Sequence, residues 1–182
     1  MKDKREGLPE HLFEYISSIT PMINVDLLIH NPNKGVILTW RSDKFYGPGW
    51  HIPGGIIRFK ESLITRLKKV ALKELNIEKI EKINFQSIYQ IMNPTRDIRG
   101  HFLSLLFSAE IGLVNNFELH DSEKSFLPDG ICKWHSSVPV NLIPQHKRYG
   151  KIIDDILNGN IEGNLPIGNI LSQYDANDEK SY

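Results

Sequence analysis

Four residues with chemical potential fall close together in the chain: the pair Gly54-Gly55 and the acids Glu61 and Glu74. On a helical wheel at about 100° per residue, Leu63, Ile64, Leu67, Val70, Ala71 and Leu75 gather on one side. Arg66, Lys68, Lys69 and Lys73 fall outside that arc, whereas Glu74 lands between Val70 and Ala71, inside the apolar stripe. An unpaired carboxylate there would cost several kcal/mol or take up a proton. One reading is that the helix frays near Glu74 and the side chain reaches water; the other is that a bound cation keeps it ionised. Gly54-Gly55, just before the helix, lets backbone approach a metal or phosphate closely, or simply forms a strand-to-helix turn. Glu61 at the helix start is favoured by the dipole. Magnesium, with Mn²⁺ as the alternative, is the natural ion, because it needs only one or two carboxylates together with waters and ligand phosphates. Zinc would want a tight nitrogen or sulfur set that this segment lacks, and Cys132 is the only cysteine, which excludes an internal disulfide.

The elements that position these residues follow from periodicity and turn formers. Leu8 to Ile19 reads as a leading helix with Leu12, Tyr15, Ile16 and Ile19 on one side. Met22 to His30 reads as a largely buried strand, Asn31 to Gly35 as a turn, and Val36 to Arg41 as the return strand. A loop at Tyr46 to Gly49 and a short extended piece, Trp50 to Pro53, lead to Gly54-Gly55, which breaks it. The helix Glu61 to Leu75 is followed by strands Ile83 to Met92, His101 to Ile111 and Ile131 to His135, then by a final helix Leu142 to Leu157. Residues 117–129 are polar and irregular, and Asp175 to Tyr182 reads as a frayed tail. The pattern predicts an α/β (α+β) domain, a mixed sheet with helices on both faces, spanning all 182 residues: leading helix 8–19, core 20–158, tail 159–182.

Hydrophobic residues at 40% and charged residues at 24% predict a globular chain. No apolar run approaches the roughly 20 residues that span a bilayer, and no apolar stretch follows the charged N-terminus. The expectation is a cytoplasmic protein with no membrane contact and no signal peptide. Lys plus Arg and Asp plus Glu both number 22, so there is no basic excess for a nucleic acid polymer, while a small phosphorylated ligand needs only a local positive pocket.

The glycine and acid spacing resembles the Nudix signature. Gly55, Glu61 and Glu74 fall on its first glycine, first glutamate and last glutamate; Lys69 falls on the arginine; Ala71 and Ile77 fill apolar positions. Val70 and Lys73 stand where the family has glutamates, and Asn76 replaces the closing glycine. Thr20 to Asp26, Leu38 to Arg41 and Gly49 to Gly55 are similar to the GDP-mannose mannosyl hydrolase branch, which also lacks two of these glutamates. His101-Phe102 matches a His-Tyr pair there and Lys133-Trp134 an Arg-Trp pair, so the likeness covers roughly residues 20–150.

The resemblance implies a Nudix α/β/α sandwich that hydrolyses a nucleotide-sugar such as GDP-mannose, working as a homodimer. It implies Mg²⁺ held by Gly55 and Glu74, with Gly54, Glu61 and Lys69 bracing the loop. Arg41 would contact the diphosphate or sugar, or be a solvated strand-end charge. Asp26 and Phe102 would contact substrate; the plain alternative for Asp26 is a polar edge-strand residue. The branch's general-base histidine has no counterpart before Lys133-Trp134. Asp129 stands near that place as base, ligand or turn residue, with Asp121 and Glu123 as looser candidates and His101 and His135 as lone histidines. A non-catalytic nucleotide-sugar binding domain is the rival from another class, and a dinucleotide or ADP-ribose is a further substrate option.

Overall fold

A computed structural model describes residues 8–42, 48–111 and 129–160, and the backbone of 165–166. Asp121, Glu123, the loop before Pro48 and the C-terminal tail lie outside the described residues. In chain order the elements are α1 (Glu10–Ile19), β1 (Met22–Asn31), β2 (Gly35–Arg41), β3 (Gly49–His51), β4 (Gly54–Ile56), α2 (Leu63–Leu75), β5 (Ile80–Met92), β6 (His101–Ile111), β7 (Cys132–His135), a 3₁₀ turn (Pro144–Tyr149), α3 (Gly150–Leu157) and β8 (Leu165–Pro166).

The sheet is mixed. β1 runs parallel to β6 over nine pairs, from Met22↔Phe102 to His30↔Glu110. On its other side it pairs antiparallel with β4 (Asp26↔Gly54) and, near the turn, with β2 (His30↔Val36). β1 is therefore interior, and its apolar run is buried on both faces. Val25, Leu27 and Ile29 pack with Leu67, Val70, Ala71 and Leu75 of α2. Leu28, with Val36 and Leu38, packs instead with Tyr149, Ile153 and Ile156 around α3. Helices thus cover both faces, giving an α/β/α sandwich. Among the described residues no helix is long and apolar enough to cross a membrane.

Several boundaries differ from the sequence reading for identifiable reasons. α2 starts at Leu63, because the Ser62 hydroxyl accepts the Thr65 N–H at 3.2 Å and caps the helix there. It ends at Asn76, which is left-handed (φ 55°) as a closing glycine would be, with the Ile77 N–H returning to the Ala71 carbonyl at 3.0 Å. Gly54-Gly55 does not break a strand; it belongs to β4, made a strand by long-range pairing to β1. The apolar side of α1 is not core: Leu12, Tyr15 and Ile19 are exposed, and Ser17 is the buried residue. The final helix divides into the 3₁₀ turn and α3. β5 begins three residues earlier than expected and carries bulges after Glu81 and Phe85, with Lys82 at φ 48° in the first. The pairing of β8 with β5 has no counterpart in the sequence reading.

Candidate active site

A cleft of about 560 Å³ opens over the middle of the sheet. Its floor is Asp26, the fifth residue of β1, only 2% exposed. Asp26 Oδ1 accepts the Asn24 amide at 2.8 Å; Oδ2 accepts the Tyr149 hydroxyl at 2.6 Å and the Ser104 hydroxyl. Burial pushes this carboxyl above its ordinary range, and the donors from Ser104, Tyr149 and Asn24 only partly offset that. Asp26 is therefore not a polar edge-strand residue: β1 is interior, and the acid is the centre of a buried network. The phenol of Tyr149 is raised by burial and by the acid beside it.

Close packing requires a glycine at position 54 and leaves little room for a side chain at position 55. A Cβ on Gly54 would lie 2.5 Å from Asp26 Oδ1 and 2.8 Å from the Val25 carbonyl. A Cβ on Gly55, on the opposite face, would lie 3.1 Å from Val70 Cγ2 and 3.3 Å from Arg66 Cδ. Val70, at a family glutamate position, is core. Glu61 precedes the Ser62 cap rather than lying in the first helical turn, and its side chain is 2% exposed. It pairs with Lys69 at 2.9 Å, with Arg66 at 2.5 Å, and accepts the Arg58 N–H at 3.0 Å. Burial acts to raise its pKa, but the Lys69, Arg58 and Arg66 contacts outweigh it and hold the carboxyl below its ordinary value. Arg66 is a partner that the wheel, which placed it away from the apolar stripe, did not reveal.

Glu74 lies in the last turn of α2 and faces the same cleft as Gly54 and Gly55. It is not sunk in the apolar stripe; the residue is exposed to the cleft. The protein around it still desolvates the carboxyl and raises its pKa, opposed by the positive charge of Arg41. Arg41 ends β2, half-buried, and lines the cleft rather than standing free at a strand end. Phe102 and Asp129 line it too. Asp129 Oδ1 accepts both the N–H and the hydroxyl of Ser42, at 2.5 and 2.7 Å. Glu61 and Lys69 stand behind β4, outside the cleft lining.

His51 and His146 also line the cleft, both buried. Burial, the charge of His146 and Arg41 push His51 down to about 4; burial, Arg41 and Arg148 push His146 down to about 3. Both rings are neutral at pH 7. His51 stands in the Gly49-to-Gly55 run, which marks it; nothing local marks His146, whose partner Ile52 is 94 residues away. His101 meets Gln90 at 2.9 Å, and His135 stacks edge-on against Trp50 with centroids 4.5 Å apart.

The oxygen donors at the cleft fit Mg²⁺ in one form only. Glu74 supplies a carboxylate, with Gly55 and Asp129 on the same lining. Among the described residues no three His, Cys, Asp or Glu come together as a metal-holding group. That set suits an ion shared with waters and ligand phosphates, not a closed protein cage. Cys132, whose thiol reaches the Glu74 carbonyl at 3.5 Å, is pushed up to about 11 by burial and Glu74 and stays protonated.

No family model matches the chain. It is 30% identical over 128 residues to the low-salt glycan biosynthesis protein Agl8 of Haloferax volcanii, covering 66% of this chain and 80% of that protein. It is similar in structure to a NUDIX hydrolase from Nitrosomonas europaea (TM-score 0.56, 17% identity, 86% of this chain and 99% of that one). A MutT protein from Methanosarcina mazei is similar as well (TM-score 0.52, 19% identity, 76% and 96%). The chain belongs to the same sequence family as Agl8, and its fold is that of the Nudix hydrolases.

Proposed function

We propose that this chain, as one Nudix domain over its 182 residues, is a Mg²⁺-dependent hydrolase of a nucleotide-sugar of the GDP-mannose type or a related nucleoside diphosphate derivative. The observation that carries the reading is the convergence of Glu74, Gly55 and Arg41 on one cleft. Its volume suits a small molecule. Arg41 binds the diphosphate, Phe102 offers an apolar contact, and Asp26 orients polar groups on the floor. Gly55 and Glu74 hold the ion, which when bound neutralises charge on the leaving phosphate. Asp129, already fixed by Ser42, stands at the rim as the candidate base. Agl8 is named for glycan biosynthesis, which supports a sugar-linked substrate. The reading includes a cytoplasmic homodimer.

A non-catalytic nucleotide-sugar binding domain is the second reading. Val70 in the core and exposed Lys73 at two glutamate positions favour it, as does the sparse donor set among the described residues. Incubation with Mg²⁺ and a panel of nucleotide-sugars in ¹⁸O water separates them. Label in the released sugar means attack at carbon; label in a phosphate means attack at phosphorus. Binding without turnover would replace the enzyme with the binding domain.

A further inference from the structure

His146 lies in the 3₁₀ turn before α3, buried yet lining the cleft. Its Nδ1 accepts the N–H of Ile52 at 2.9 Å. An accepting ring nitrogen carries no proton, so the neutral ring holds its proton on Nε2. His51 is fixed the other way: its Nδ1 donates to the Thr39 carbonyl at 2.9 Å. The two rings, with centroids 6.1 Å apart, are locked by backbone groups into opposite tautomers. Among the described residues no bond is formed by His146 Nε2. Beside it, Gln145 Oε1 is buried without a partner on the same lining, an acceptor left for a ligand's donor such as a hydroxyl. Arg41 shares the lining and its charge acts on His146.

We infer that His146 is a binding residue that donates its Nε2 proton to an oxygen of the bound diphosphate, alongside Arg41, and is not the missing general base. The assignment rests on the nucleoside diphosphate reading above. A ring whose lone pair is already occupied by Ile52 has no basic nitrogen to offer a water; what remains is a donor that suits an anionic oxygen.

The test uses ¹⁵N-histidine NMR on the whole protein with GDP and Mg²⁺ as probe, together with calorimetry. In the free protein at pH 7, His146 should show the Nε2–H tautomer and His51 the Nδ1–H tautomer. GDP should shift the His146 Nε2–H resonance. His146→Asn keeps an acceptor near Ile52 but loses the far donor, and should weaken GDP binding about tenfold. His146→Gln, whose amide reaches the Nε2 position, should recover part of that loss. An Nδ1–H tautomer at His146, or wild-type GDP affinity in a folded Asn variant, would overturn the assignment alone. If neither variant folds, an unmoved His146 resonance at GDP saturation overturns it and a shifted one supports it. Absence of GDP binding by the wild type would overturn this assignment and the functional reading together.

Discussion

Glu74 combines a carboxyl raised by desolvation with an opposing arginine, and such a group gains most from a cation placed against it. Glu74→Gln keeps the shape and removes the charge. Loss of an outer partner to a metal ligand commonly costs about 10–100-fold, so loss of the proposed ligand itself should lower Mg²⁺-dependent turnover at least about 100-fold. Because the residue is exposed, stability should change by no more than about 0.5 kcal/mol. Turnover assays beside thermal unfolding check both halves, and undiminished turnover would remove Glu74 from the site. The angular position of this acid was legible in the sequence, since a wheel needs only spacing. Its exposure was one of two readings left open, because a wheel does not say where the layer facing a helix ends and a cleft begins. The Asp26 network and His146 were less legible still: their partners Ser104, Tyr149 and Ile52 lie 78, 123 and 94 residues away in sequence, and only the folded topology joins them.

At the scale of elements, local signals placed most strands and α2, while pairing partners decided the rest. β4 is the clearest case: two glycines have poor strand propensity, yet β1 makes them a strand. The glycine pair then serves two faces at once. Gly54→Ala would drive a methyl against the Val25 carbonyl and the fixed Asp26 carboxylate, neither able to retreat, and should cost about 3 kcal/mol. Gly55→Ala meets a valine methyl and an arginine methylene, which can shift a few tenths of an ångström, and should cost about 1 kcal/mol. Urea unfolding midpoints of the two variants test the difference; equal losses would show that β4 yields as a unit and that the floor of the cleft is softer than its contacts imply. α1 teaches the converse lesson. Its apolar periodicity predicted a helix correctly, but the core already had both faces of its sheet covered by α2 and α3, leaving Tyr15 and Ile19 in water.

For the molecule as a whole, four histidines held below their ordinary value, His30 among them, couple stability to pH. Burial, followed by neighbouring positive charge, puts His51 and His135 near 4 and His146 near 3. In the unfolded chain each titrates at about 6.5. Folded values below unfolded ones mean that the histidines' contribution is fully present above about pH 6.5 and is lost as pH falls towards the folded values. By pH 5.5, His51 and His146 should each have cost about 1 kcal/mol. His135, more open to water, costs less because solvent screens it. Asp26 acts with the opposite sign, since burial favours its protonated form, so the raw pH profile mixes the two. A difference experiment separates them. His135→Phe keeps an aromatic ring against Trp50, removes a buried Nε2 that lacks a partner, and cannot take up a proton. Its Tm at pH 7 should match or exceed that of the parent, and its fall between pH 7 and pH 5 should be smaller by about 1–3 °C. Parallel melting profiles for the two proteins would mean that His135 titrates alike folded and unfolded, and that acid sensitivity arises from the other shifted groups, among them His30, His51, His146 and Glu61.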